Sequence, residues 1–158
     1  MLIVCYSFEG NTAYAAEALQ KATGAELLRI CPTLEPPRRG LAKMIHGGSM
    51  ALRKVQVELK PYEIDWDAHD TVVLCSPVWA GYCPPAMTSF LAREKERLSG
   101  RAVWLVGCSM SGNAVKMFDQ MRKALPGCEV RGSISLVQPL KHREETEKKM
   151  ATLATGLK

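Results

Sequence analysis

No apolar run in this 158-residue chain approaches the ~18 residues that a membrane span requires; the longest, LIVCY and TVVLC, are of strand length. No charged leader with a cleavage site precedes them, so a soluble cytoplasmic protein with no membrane partner is expected. The six cysteines, at 5, 31, 75, 83, 108 and 128, show neither CxxC nor paired zinc spacing, and three lie inside apolar runs, so they read as reduced core thiols. Aromatic residues make up only 6%, and no basic segment interleaves them, which argues against a stacking platform for single strands. A net charge of +5 permits attraction to anions, but no basic tract is long enough to require nucleic acid. GxxxxGK[ST] and GxGxxG are both missing, which counts against an ordinary nucleoside triphosphate or dinucleotide site. Neither a nucleophile elbow nor HExxH occurs, so hydrolysis has no candidate. His46, His69 and His142 are scattered without carboxylates at ligand spacing, and no metal site is expected.

What is present is a globular balance, 47% hydrophobic and 23% charged, in a length that suits one domain over 1–158 and can bury a core without staples. Five short apolar runs recur at 2–6, 26–31, 71–75, 102–107 and 129–137. Helically spaced segments alternate with them: 12–22 before Gly24, 84–98 before Gly100, 113–125 before Pro126-Gly127, and 141–155. Near-continuous apolar strands indicate burial on both faces, and the alternation gives right-handed crossovers onto a parallel sheet. A three-layer, doubly wound, five-stranded α/β domain follows. Residues 32–69 are the irregular part, with a helix expected over 41–54 and broken at Gly47-Gly48.

In such a sheet, ligands bind outside the carboxyl ends of the strands, which directs attention to the loops after strands one, three and four. The first loop is Ser7, Phe8, Glu9, Gly10, Asn11 and Thr12, running straight into a helix. Unpaired amides at a helix start, the positive end of the helix dipole, a glycine that lets a ligand approach and two hydroxyls together suit a phosphate. The alternative is a helix cap made by Asn11 or Thr12. The second loop holds Ser76, Pro77, Val78, Trp79, Ala80, Gly81 and Tyr82, then Cys83 and Pro84-Pro85. Trp79 either covers one face of a planar ring or plugs the top of the core. The third loop, Cys108, Ser109, Met110, Ser111, Gly112 and Asn113, is small and polar, with amides suited to a polar ring edge or to plain turns and caps.

Taken together, SFEGNT, SPVWAGYCPPAMTSFL and CSMSGN resemble the corresponding loops of flavodoxins, specifically their compact, short-chain relatives. The resemblance spans nearly the whole chain. It implies FMN as cofactor and the flavodoxin-like strand order 2-1-3-4-5. It also implies that residues 7–12 hold the phosphate, while 76–82 and 108–112, Met110 and Gly112 among them, hold the isoalloxazine. Two departures stand out: the acidic patches around the flavin are absent, and Met110 stands where an aromatic usually covers the outer ring face. The cofactor loops carry one carboxylate, Glu9, and Arg38 and Arg39 follow the second strand, so a less negative potential for full reduction is expected. The same charge balance suggests redox protein partners with acidic docking faces. Cys5, Cys75 and Cys108 near strand ends, and Cys83 at a helix start where the dipole favours a thiolate, raise a redox thiol as an alternative to packing.

Three functions fit these readings. The first is an FMN electron carrier exchanging one or two electrons through an exposed edge, with no catalytic residue required. The second is an NAD(P)H-dependent, FMN-containing quinone or flavin reductase, for which Arg38, Arg39, Lys43, Arg53 and Lys54 offer a basic approach for an anionic nucleotide. The third is a flavin-free interaction module.

Overall fold

A computed structural model describes residues 1–34 and 55–157. The helix expected over 41–54, together with Arg38, Arg39, Lys43, His46, Arg53 and Lys54, lies outside the described residues. The described elements run β1 (Leu2–Cys5), α1 (Asn11–Thr23), β2 (Glu26–Arg29), a short 3-10 turn (Trp66–Ala68), β3 (Thr71–Pro77), α2 (Pro85–Leu98), β4 (Ala102–Ser109), α3 (Val115–Ala124), β5 (Glu129–Val137) and α4 (Arg143–Gly156). The strands form one sheet in the order β2-β1-β3-β4-β5, and every pairing is parallel. This is the expected doubly wound α/β arrangement, with element ends displaced by at most two residues as fraying makes usual.

Successive strand residues face opposite ways, so an unbroken apolar run feeds two cores at once. In β1, Leu2 and Val4 join Leu74, Phe90, Leu105 and Met117 beneath α2 and α3, whereas Ile3 and Cys5 join Leu19, Val73, Val106 and Leu153 beneath α1 and α4. Burial on both faces holds for β1, β3 and most of β4. It fails at the edges: β2 and β5 consist of half-buried and exposed residues apart from the buried Leu136, because each has a neighbour on one side only. The 2–6 run is central for the same reason that the 26–31 run is not, namely that only the former is apolar at every position.

Residues 55–65 add a feature that strand and helix patterning did not indicate. Leu59 bridges Pro32 in an antiparallel sense, Thr33 N–H donates to the Glu58 carbonyl at 2.9 Å, and Lys60 N–H donates to the Cys31 carbonyl at 2.8 Å. The Ser89 hydroxyl accepts from Val57 N–H at 2.8 Å and the Tyr62 hydroxyl donates to Glu94 at 2.8 Å, pinning this stretch to α2.

Candidate functional site

At the carboxyl ends of β1, β3 and β4 the three inspected loops converge on a cleft of about 720 Å³, within the range of small-molecule sites. Its walls include Ser7, Phe8, Glu9, Asn11 and Thr12 from the first loop, Pro77, Val78, Trp79, Ala80 and Gly81 from the second, and Cys108, Ser109 and Met110 from the third. Parallel strands aligned in register bring these segments together: Tyr6 N–H donates to the Cys75 carbonyl at 3.1 Å and Val78 N–H donates to the Cys108 carbonyl at 2.9 Å.

The first loop leaves the start of α1 without a side-chain cap. Gly10 stands at the N-cap with φ of 89°, a left-handed conformation costly for any residue with a Cβ. The first turn closes with Tyr14 N–H donating to the Gly10 carbonyl at 2.9 Å, so the amides of residues 11–13 have no partner within the helix. Neither Asn11 nor Thr12 caps α1, which removes the capping alternative. Asn11 Oδ1 instead accepts from Leu140 N–H at 3.1 Å. Four buried side-chain polar atoms among the described residues lack a hydrogen-bond partner, and three of them, Ser7 Oγ, Thr12 Oγ1 and Ser109 Oγ, belong to residues lining this cleft. Near the Thr12 hydroxyl lies the Cys108 thiol, whose deprotonated form it favours against the larger effect of burial. An unmade hydrogen bond of this kind costs about 1 to 3 kcal/mol, and an oxyanion in the cleft would meet that need.

The second loop doubles back tightly. Trp79 and Tyr82 exchange backbone hydrogen bonds at 2.9 and 2.8 Å, with Ala80 and Gly81 between them at φ of 49° and 88°. Two positive φ values in a two-residue connection mark a type I′ turn. Cys83 N–H donates to Gln120 Oε1 at 2.9 Å, which fastens the loop to α3. The Trp79 ring meets Tyr6 and Phe8 edge-on, at centroid separations of 6.0 and 5.5 Å, and the half-buried side chain also lines the cleft.

The third loop leaves Met110 79% exposed at the rim. Gln138 holds the loop from behind, its N–H donating to the Ser109 carbonyl at 3.0 Å and its side-chain amide to the Met110 carbonyl at 3.3 Å. Gln138 has φ of 36° and lies just past the end of β5.

Four expected residues do not line the cleft. Gly10 and Gly112 supply bends beside it, the Tyr82 ring lies under Lys116, and Ser76 is fully buried behind it, its hydroxyl donating to the Pro77 carbonyl at 3.0 Å. Ser111, inside the expected 108–112 segment, lines the cleft as well, and three lining residues were not expected: Asn113, Lys116 and Gln138. Asn113 stands inside CSMSGN and was within reach of the sequence. Gln138 would have been found by applying the strand-end rule to the fifth strand, and Lys116 by following the third loop one turn into its helix.

All six cysteines are free, but Cys31 and Cys128 are only half-buried, which corrects the reading of all six as core thiols. Burial pushes the Cys5, Cys83 and Cys108 thiols up to about 12 and raises Cys75 strongly. At Cys83 packing prevails over the dipole-favoured thiolate raised as its alternative: desolvation outweighs hydrogen bonds from Thr88 and Ser76 that act the other way. Among the described residues, no group of three His, Cys, Asp or Glu is placed to hold a metal ion, and no helix is long and apolar enough to cross a membrane.

Three solved structures share the architecture. A Bacteroides eggerthii protein assigned as a flavoprotein superposes with a TM-score of 0.75 at 19% identity, covering 90% of this chain and 93% of its own. A Lactobacillus acidophilus flavoprotein in complex with FMN gives 0.74 at 20% identity, covering 90% and 95%. A flavodoxin, WrbA-like protein from Agrobacterium tumefaciens gives 0.61 at 15%, covering 98% and 94%. At such identities the likeness is one of fold. No curated protein matches the sequence. The Flavodoxin domain family matches residues 41–130, more than half of the chain, and on that match the protein belongs to the flavodoxin family.

Proposed function

We propose that this protein is an FMN-binding electron carrier that exchanges one or two electrons with redox partners through an exposed edge of the cleft. The observation that carries this reading is the trio of buried, unpartnered hydroxyls, Ser7, Thr12 and Ser109, beside the free amides of α1. That set fits a phosphomonoester, and the half-buried Trp79 beside it fits a flat ring. FMN-complexed flavoprotein structure in Lactobacillus, which shares the fold, supports the choice of cofactor. Bound FMN supplies one- and two-electron chemistry. This chain's residues bind and orient: the first loop takes the phosphate, the 77–81 segment and the 108–110 segment flank the ring, and Met110, 79% exposed at the rim, leaves its edge open to a partner.

A carrier is favoured over an enzyme because the described lining offers little acid–base equipment. Glu9 is its one carboxylate, no histidine is present, and the Cys108 thiol is held protonated. The partner face we propose is acidic, so that electron-transfer rates should fall with salt; rates indifferent to salt would remove that part of the reading. The second reading, an NAD(P)H-dependent FMN-containing quinone or flavin reductase, draws on the likeness to the WrbA-like Agrobacterium protein. One experiment separates the possibilities. A yellow protein that is inert toward NADH and NADPH unless a redox protein is added supports the carrier. Unaided oxidation of either nucleotide supports the reductase, and a colourless protein that takes up no FMN contradicts both in favour of an interaction module.

A further inference from the structure

Two residues in the described lining of the cleft carry charge at neutral pH, Glu9 and Lys116. Lys116 occupies the first turn of α3, where there is no acidic residue and where the helix end is itself positive. None of the described ion pairs includes it. Its stem lies against the turn that forms one wall: a Cβ placed on Gly81 would be 3.7 Å from Lys116 Cδ, and Lys116 Nζ is 5.9 Å from the Tyr82 ring centroid. The helix dipole opposes this cation, and no ion pair described for the chain offsets that. A negative charge arising inside the cleft would.

We propose that Lys116 sets the reduction potential of the bound flavin, its ammonium stabilising the negative charge that full reduction creates. The inference rests on the reading that the cleft holds FMN. In a dithionite titration two electrons from the reductant and one proton from solvent enter the ring, leaving one added negative charge. Lys116 gives up no proton and forms no bond; its effect is Coulombic and weakens with salt.

The test compares FMN-loaded wild type, Lys116→Gln, Lys116→Glu and Lys123→Gln, the last an exposed lysine on the same helix that does not line the cleft. Midpoint potentials are read against a reference dye, and FMN affinity by fluorescence quenching. Lys116→Gln should weaken the two-electron reduction about tenfold, which is ~30 mV, and Lys116→Glu should go roughly twice as far in millivolts. Lys123→Gln should leave the potential in place, and about 1 M salt should shrink the differences. Uptake of FMN by Lys116→Gln with an unchanged potential, or an equal shift from Lys123→Gln, would overturn the role of Lys116 while leaving FMN binding intact. Failure of the wild type to take up FMN would instead remove the reading on which the proposal rests, and the proposal with it.

Discussion

The two ends of the sheet treat their polar groups differently. At the end away from the cleft, partners are found within the chain. His69 Nε2 lies 2.9 Å from Glu26 Oε2, Arg101 donates to the carbonyls of His69 and Arg97 while its guanidinium lies over the Trp66 ring, and Asp65 accepts from Asp67 N–H at 3.2 Å. One buried atom there, His69 Nδ1, is left over. At the cleft end three buried hydroxyls are left over, two φ values in one turn are positive, and Met110 and Val115 stand in solvent. Local sacrifices of stability concentrated at one end of a fold are the physical mark of a site shaped for something outside the chain.

The contrast makes four predictions, of decreasing size. Trp79→Ala should be costly in both respects, because the indole packs on Tyr6 and Phe8 as well as lining the cleft. We expect about 2 to 3 kcal/mol off apoprotein stability and about 1 to 3 kcal/mol off FMN binding; urea unfolding and flavin titration would measure the two. Unchanged FMN affinity would assign the ring to the core alone.

Thr12→Val and Ser7→Ala should separate the two costs. Each should weaken FMN binding by about 1.5 to 2 kcal/mol, the worth of a hydrogen bond to a charged group, yet leave apoprotein stability level or slightly raised, since an unpartnered buried hydroxyl disappears. A clear fall in apoprotein stability would mean that these hydroxyls serve the fold instead. At the other end, His69→Ala should reverse the pattern, losing about 1 to 2 kcal/mol of stability with no change in FMN affinity in the same titration.

The smallest effect concerns pH. The Cys5, Cys83 and Cys108 thiols are raised from 9.0 to about 12 in the folded chain by burial. A raised thiol favours the folded state fully below pH 9 and loses that contribution as pH climbs from there toward about 12. Stability should therefore be almost flat from neutrality to pH 9 on their account, and iodoacetamide at pH 8 should modify the half-buried Cys31 and Cys128 well before the other four. Early labelling of Cys108 would contradict the packing assignment.

The arrangement of the sheet was legible because strands β1, β3 and β4 carry unbroken apolar runs and each helix is bounded by glycine or proline. That the loop after β1 lines the cleft was legible because its glycine, hydroxyls and helix-start amides are contiguous in the sequence. Lys116 and Gln138 were missed for the opposite reason. Their side chains reach the cleft only through tertiary packing, Lys116 across Gly81 and Gln138 from the far edge strand onto Met110. At Cys83 the sequence left two readings open, because a helix start suggests a lowered thiol and sequence position does not reveal that the residue is 1% exposed.

Whether the first loop holds a phosphate is decided by comparing FMN with riboflavin, which differ by that group alone. If Ser7, Thr12 and the α1 amides hold the phosphate, apoprotein titrated at equal ionic strength should bind FMN at least about a hundredfold more tightly, the equivalent of ~2.7 kcal/mol. Equal affinities would contradict the account.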